Sequence, residues 1–474
     1  MKLYQMVLAL VLLAVAVTLM LVAQRRNWRP SLIVALAVAA VLRVATLALT
    51  YKVQPYDLAN DFWISGYATL HHHDPILTNR ANGWGSLPTY TFVLAAAVWT
   101  CYHLHFSWLV IARVPALLCD LGVVAVVGRL VTAAGGTGDQ AKLRRFQYAC
   151  SPVAILVSSV HGQLEPACLL LAFAAMTVVL RGGAGISGRR AVAGGVLLGF
   201  AISTQSWPVL FGPALLIALP SWRRRLQAVA GGAAVGAVIF ATMPFTVGTP
   251  WNQMSYLFKH MISNQPTIGT FGWAGVWVTQ YHTVHPVWWD PLWLDVAKIG
   301  TKAALVLALL AVFWWRRAHP LDIATVTTTT LIVASPAFGN QYLQWPVPSS
   351  LSWPSRLTLP LQVVVGAYAA VFYLPLNLLT GTSWQDADNA MMFVSLGVAA
   401  FMVIALPWRR RVWLRPPGPG GGTGATGDEQ ALDSPVPDYV ADEVLTERVP
   451  GQQLLAETIP DVGPLSKSQP NLPG

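Results

Sequence analysis

The chain has 474 residues, of which 55% are hydrophobic and only 11% charged, and its mean hydropathy is +0.53; soluble proteins carry about 25% charged residues, so this is an integral membrane protein. Its net charge of +10 is gathered in short clusters between apolar segments, where it reads as membrane topology and not as a nucleic-acid surface. The alternating strands of a membrane barrel are not visible, and Cys101, Cys119, Cys150 and Cys168 form no CxxC pair, which argues against a zinc site or a disulfide framework.

Residues 6–23 have the character of a signal peptide, but no small-x-small cleavage site precedes Arg25-Arg26, so they are read as a first span. Six basic clusters then mark the cytoplasmic side. They are Arg25, Arg26 and Arg29; Lys142, Arg144 and Arg145; Arg181, Arg189 and Arg190; Arg223 to Arg225; Arg316 and Arg317; and Arg409 to Arg411. With 31–50 crossing outward, a polar, aromatic-rich stretch over 51–105 falls outside. It holds Asp57, Asn60-Asp61-Phe62-Trp63, Tyr67, His71-His72-His73-Asp74-Pro75 and Gly83-Trp84-Gly85-Ser86. Such a loop has to meet water or a polar substrate, because unpaired backbone is not left in hydrocarbon.

Returning Lys142 to Arg145 to the inside requires an odd number of crossings, yet 87–104 and 109–131 are both apolar. The shorter one begins at Pro88 and ends in His103-Leu104-His105, and is expected to lie along the outer interface. The remaining spans alternate: 146–160, 163–180, 191–205, 207–220, 226–246, 293–315, 321–338, 341–355, 357–377 and 390–407. The total is about thirteen, each near the roughly 20 residues a crossing needs. The amino terminus lies outside and the carboxyl terminus inside. The expected organisation is a transmembrane domain over 1–408 with outer loops 51–108 and 247–290, then a disordered cytoplasmic tail over 409–474. The tail opens with Pro416-Pro417-Gly418-Pro419-Gly420-Gly421-Gly422 and is acidic, a composition that buries too little apolar surface to fold.

Acidic residues are scarce before the tail, and an ionisable group at membrane depth is a functional candidate by default. Asp61 leads, held beside Phe62-Trp63 where the second span emerges; a carboxylate partly shielded from water suits a general base. Asp57 is the reserve. Glu165, the sole glutamate before the tail, lies in Ser158-Ser159-Val160-His161-Gly162-Gln163-Leu164-Glu165-Pro166. His161 and Glu165 would share a face of a continuous helix, as metal ligands can. Gly162 and Pro166 instead favour a hydrogen-bonded hinge that binds a sugar. The histidines show no HExxH-type spacing, and a divalent metal is allowed as a cofactor without being required. Arg113, before Pro115 at a span start, is placed to hold a phosphate with its fork or to snorkel to the interface. Gln341, Tyr342 and Trp345 sit in the proline-interrupted run 335–348, which suits a broken helix lining a cavity.

In their order along the chain these segments resemble the GT-C superfamily of integral-membrane glycosyltransferases, most closely the bacterial branch that uses polyprenyl-phosphate-linked mannose. The likeness rests on Asn60-Asp61-Phe62-Trp63 through Tyr67 to Asp74-Pro75; on Leu87-Pro88-Thr89-Tyr90 and Arg113-Val114-Pro115 to Asp120; on Ser151-Pro152 through His161-Gly162-Gln163-Leu164-Glu165; and on Ser335-Pro336 to Gln341-Tyr342-Leu343-Gln344-Trp345. It spans most of 31–405. Many relatives carry a basic residue where Thr204-Gln205-Ser206-Trp207 stands here. The resemblance implies a catalytic aspartate in the first outer loop, falling on Asp61 with Asp57 behind it, and juxtamembrane helices after it. It implies an inverting transfer from a polyprenyl-phosphate sugar to a glycan, glycolipid or protein acceptor on the outer face of the plasma membrane. The leaving phosphate would be met by Arg113 and Lys259, and Tyr67, His161, Gln163, Glu165, Gln341, Tyr342 and Trp345 would contact sugar or acceptor. The alternative from a different class is a transporter or lipid flippase, for which paired interrupted helices in two related halves are expected; no such repeat is visible.

Overall fold

The computed structural model describes residues 1–78, 87–262, 272–273, 291–336, 338–379, 381–408 and 413. The tail expected over 409–474 and most of the outer loop 247–290 lie outside these. Among the described residues the protein is helical, without strands, as a chain solvated by lipid must be when it does not close into a barrel.

The chain opens with α1 (Leu3–Arg25) and α2 (Leu32–Thr50). A π-helical turn, Asp57–Asp61, runs straight into α3 (Phe62–Leu70). Next come α4 (Thr91–Leu104), α5 (Val114–Ala133) and α6 (Gly138–Ala149). The short helix Pro152–Leu156 ends in a second π-turn, Val157–His161. Then follow α7 (Glu165–Leu180), α8 (Gly188–Thr204), α9 (Trp222–Thr246) and α10 (Met254–Ile262). The chain continues through α11 (Pro291–Trp315), α12 (Pro320–Ala334), α13 (Thr358–Tyr373) and α14 (Gly381–Ile404).

Five helices among the described residues are long and apolar enough to cross a bilayer: Leu3–Arg25, Leu32–Thr50, Trp108–Ala133, Trp222–Thr246 and Lys298–Trp315. They carry exposed Val7, Val11, Ile33, Val41, Val238 and Leu309, the surface that lipid covers. Shorter apolar helices fill the interior, and α7, α12 and 152–161 are buried on nearly every side. Their sequences are correspondingly hydrophobic all round, without an amphipathic stripe.

The expected span 146–160 is divided. Residues 138–149 form a polar, capped helix in which Thr137 and Gln140 exchange hydrogen bonds of 3.2 and 3.0 Å. Pro152 disfavours helix at Ser151, so the chain breaks there. The ten residues that follow reach about 15 Å at about 1.5 Å per residue, half the roughly 30 Å of hydrocarbon. The region 341–355 is likewise broken, into a 3-10 turn at Asn340–Gln344 and a short helix at Val347–Ser352. Helix α4 has 14 residues, or about 21 Å, and packs along α3. It is too short to span upright.

Two features fix the bundle. Helices α8 and α9 approach so closely that a Cβ on Gly195 would lie 1.9 Å from the Ala228 carbonyl oxygen, and one on Gly199 2.7 Å from that of Gly232. This is small-residue packing of the kind membrane helices use when lipid removes the hydrophobic drive to associate. The second is an ion pair within the apolar core. Arg43 of α2 reaches Asp120 of α5 at 2.6 Å, both side chains having no solvent exposure. Asp120 also accepts from Tyr148 of α6 at 2.6 Å and from Gln344 at 3.2 Å. Arg43 donates onward to the Ala39 and Ala149 carbonyls. The pair therefore ties α2, α5 and α6 to the 3-10 turn that carries Tyr342.

Candidate active site

The two π-turns meet. A π-turn inserts one residue into a helix and re-aims side chains, which is why it recurs at functional sites. In the first, Asp57 and Asp61 are four residues apart and project to nearly the same side. Its frame is held by Trp108, whose indole donates to the Leu58 carbonyl at 2.8 Å and packs edge-on against Trp63. In the second, the Gly162 N–H bonds to Val157 at 2.9 Å and places His161 at the helix end. Gly162 then turns the chain with φ of +73°, and a Cβ there would lie 2.6 Å from the Arg113 side chain. Only glycine fits both demands. Thus His161 and Glu165 do not share a helix; they flank a hinge, and α7 restarts at Glu165.

Across this junction runs a polar chain. The Gln163 amide donates to Asp57 and its nitrogen stands 2.9 Å from His161 Nε2, while His161 Nδ1 stands 2.8 Å from the Tyr373 hydroxyl. His161 Nε2 is 3.4 Å from Asp57. Burial works to raise the Asp57 carboxyl, but the His161 imidazole and the Gln163 amide outweigh it and hold Asp57 below the ordinary aspartate value. Its side chain remains 35% exposed, so it reaches the protein surface while anchored from within.

Beneath lies Glu165, wholly buried, beside Trp345, Tyr342 and Tyr90. Trp345 stacks face to face on Trp207 at 4.0 Å with planes 10° apart. Gln205 accepts from the Trp207 indole at 2.6 Å and fixes that ring. Tyr342 leans on Trp345 at 4.4 Å. Asp57, His161, Gln163, Glu165, Tyr342 and Trp345 are therefore brought together from three distant parts of the chain. Asp61 is half-buried at the end of the first π-turn, and Gln341 half-buried with its amide folded against Gly339.

Three expected residues stand elsewhere. Tyr67 is exposed and pairs with His71 and Tyr102. Lys259 is exposed on α10. Arg113 is fully buried, and its guanidinium donates to the carbonyls of Val160, Tyr51, Leu109 and Val53 at 2.9, 3.2, 2.8 and 2.6 Å. With its donors engaged by backbone it braces the end of α2 against the second π-turn, and it neither forks a phosphate nor snorkels. Asp74 has an equally local role, capping Ile76 and Leu77 at 2.8 and 2.9 Å and accepting from Thr249. Among the described residues no group of three or more His, Cys, Asp or Glu side chains is placed to hold a metal ion. Sequence reasoning missed Tyr373 and Trp207, whose partners His161 and Trp345 lie far away along the chain.

A buried acid beside an aromatic wall, under two surface carboxylates at the edge of a helical bundle, suits sugar chemistry. A family profile, Glycosyltransferase family 87, matches residues 87–336, more than half of the chain. The chain belongs to glycosyltransferase family 87. This is a GT-C-type membrane family, so the protein is a membrane glycosyltransferase and the transporter alternative is set aside. The match takes in Tyr90, Arg113, the hinge 161–165 and Trp207, while Asp57 and Asp61 precede it and Tyr342, Trp345 and Tyr373 follow it. None of the curated proteins compared with the chain matches it.

Proposed function

We propose that this family 87 enzyme moves a hexose, taken to be mannose, from a polyprenyl-phosphate donor to an envelope glycan, glycolipid or protein acceptor on the outer face, with inversion at the anomeric carbon. The observation that carries this reading is the pair of carboxylates on one π-turn above the His161–Gln163–Glu165 hinge. A lipid-linked donor suits such a place, because its chain stays in hydrocarbon while its head group enters the junction.

In the proposed step Asp61 takes the proton of an acceptor hydroxyl as the oxygen attacks the anomeric carbon, and the bond from that carbon to the phosphate oxygen breaks. The proton ends on Asp61, and the bonding electrons leave with the polyprenyl phosphate. Asp57 is the weaker candidate for this role: two donors already hold it, and a carboxylate kept below its usual value is a poorer base near neutrality. It serves better as a fixed acceptor for a substrate hydroxyl. Arg113 supports the site by bracing it, which leaves Lys259 as the cation proposed for the leaving phosphate.

The test is transfer of radiolabel from polyprenyl-phosphate mannose in membranes containing the wild-type, Asp61→Asn or Asp57→Asn protein. The expected result is loss of about 10²-fold or more for Asp61→Asn, the low end of what a positioned base contributes, and a smaller loss for Asp57→Asn. Full activity of Asp61→Asn would remove the assignment of the base. No transfer by wild type from polyprenyl-phosphate mannose, with transfer from another lipid-linked sugar, would replace the donor.

A further inference from the structure

From Pro166 to Trp289 the chain holds no aspartate or glutamate, yet it holds Arg181, Arg189, Arg190 and Arg223 to Arg225. Among the described residues none of these arginines makes an ion pair. All but Arg181 stand in the first turns of α8 and α9. Helix α9 is long and apolar enough to cross a bilayer, so its first turn falls at the depth of the lipid head groups. Arginines gathered there with no carboxylate among them repel one another and leave an unmet demand for negative charge.

Between the two helices runs an open groove of about 720 Å³. One end is polar and is lined by Ser187, Arg189 and Gln227. Arg224 joins them: its Nη1 donates to the Gln227 amide oxygen at 2.9 Å and would lie 2.6 Å from a Cβ on Gly188. A guanidinium from each helix therefore stands at this end. The rest of the lining is apolar. Val192, Ala193 and Val196 follow Arg189 at three, four and seven residues and form one stripe of α8. Val192 and Ala193 are exposed.

Charge at one end with an apolar stripe leading away from it matches a phospholipid, head group first and acyl chain behind. The charge decides which phospholipid. A zwitterionic head brings an ammonium that finds no carboxylate here, whereas a phosphodiester of net negative charge meets two arginine forks. The lipid-linked donor belongs elsewhere. Trp207, stacked on Trp345 in the junction, lies just past the far end of α8, and the 17 residues of that helix set its ends about 25 Å apart.

We propose that the groove between α8 and α9 binds one anionic phospholipid of the surrounding bilayer, with its phosphate on Arg189 and Arg224 and its chain along Val192, Ala193 and Val196. The bound lipid neutralises the arginine cluster and braces the base of the helix whose other end leads to Gln205 and Trp207. The site is independent of the sugar that the enzyme transfers.

The test uses the full chain in nanodiscs of phosphatidylcholine, alone or mixed with phosphatidylglycerol, followed by release into mild detergent and native mass spectrometry of monodisperse fractions. Wild type is expected to retain a phosphatidylglycerol whose occupancy falls at least tenfold in Arg189→Gln/Arg224→Gln. Ala193→Trp keeps both arginines and fills the exposed stripe, so it should lose the lipid as well. Arg316→Gln/Arg317→Gln, which removes exposed charges just beyond α11, should retain it. Phosphatidylglycerol should raise the wild-type Tm by about 3 °C, as for a site filled at about a hundred times its Kd in roughly 400 ordered residues, and should raise it less in both groove variants. Equal retention by wild type and Arg189→Gln/Arg224→Gln overturns the proposal, as does equal retention of phosphatidylcholine. Retention kept by Ala193→Trp would replace the groove with a charged patch. Displacement of the lipid by inorganic phosphate alone would assign the arginines to a soluble anion and overturn it too.

Discussion

Replacing Arg43 with Met removes the cation from the ion pair buried between α2 and α5. Asp120 would keep hydrogen bonds from Tyr148 at 2.6 Å and Gln344 at 3.2 Å, but its charge would lose the guanidinium 2.6 Å away. Breaking a buried pair by deleting one partner costs about 3–5 kcal/mol. The double variant Arg43→Met/Asp120→Leu removes both charges, and Tyr148 and Gln344 still bond each other at 3.1 Å. Its cost should be smaller, about 1–3 kcal/mol for the polar groups left partly unmet. With an unfolding entropy of about 2.1 cal/mol/K per residue over roughly 400 ordered residues, 4 kcal/mol lowers Tm by about 5 °C. The assay is thermal unfolding in nanodiscs with a thiol-reactive dye, for which the free, buried Cys150 and Cys168 are built-in reporters. The expected order of Tm is wild type, double variant, Arg43→Met. A double variant less stable than the single would refute the argument, since the pair would then contribute more than its members cost apart.

Three further outcomes follow from the same geometry. Gly195→Leu should abolish the folded yield by forcing α8 from α9, while Gly236→Ala, where nothing lies within 4 Å, should elute like wild type on size exclusion; equal yields would mean the helices do not pack as described. Because Asp57 is held below the ordinary aspartate value of 3.8, the stability it contributes is complete above that pH and lost as pH falls through its lower folded value. The Tm difference between wild type and Asp57→Asn should therefore stay constant from about pH 8 to about pH 5, and a difference that shrinks within that window would show Asp57 titrating higher. Finally, a cysteine placed at Ala133 should be shielded from an impermeant external reagent, and labelling there would mean that α4 crosses the membrane.

Hydropathy and the basic clusters determine that this chain is an all-helical membrane protein, because lipid leaves the backbone no partner but itself. Local chemistry also makes the hinge legible: glycine at 162 and proline at 166 interrupt any helix whatever surrounds them. The pairing of Arg43 with Asp120, 77 residues apart, is not written in any local pattern. The same holds for Tyr373 beside His161 and for Trp207 stacked on Trp345. Arg113 shows the limit most plainly. A cation next to a helix start is a reasonable phosphate ligand until packing turns its donors onto four carbonyls. Which residues are candidates for chemistry is readable from their scarcity in an apolar chain; which of them meet is decided by helices that come together only in three dimensions.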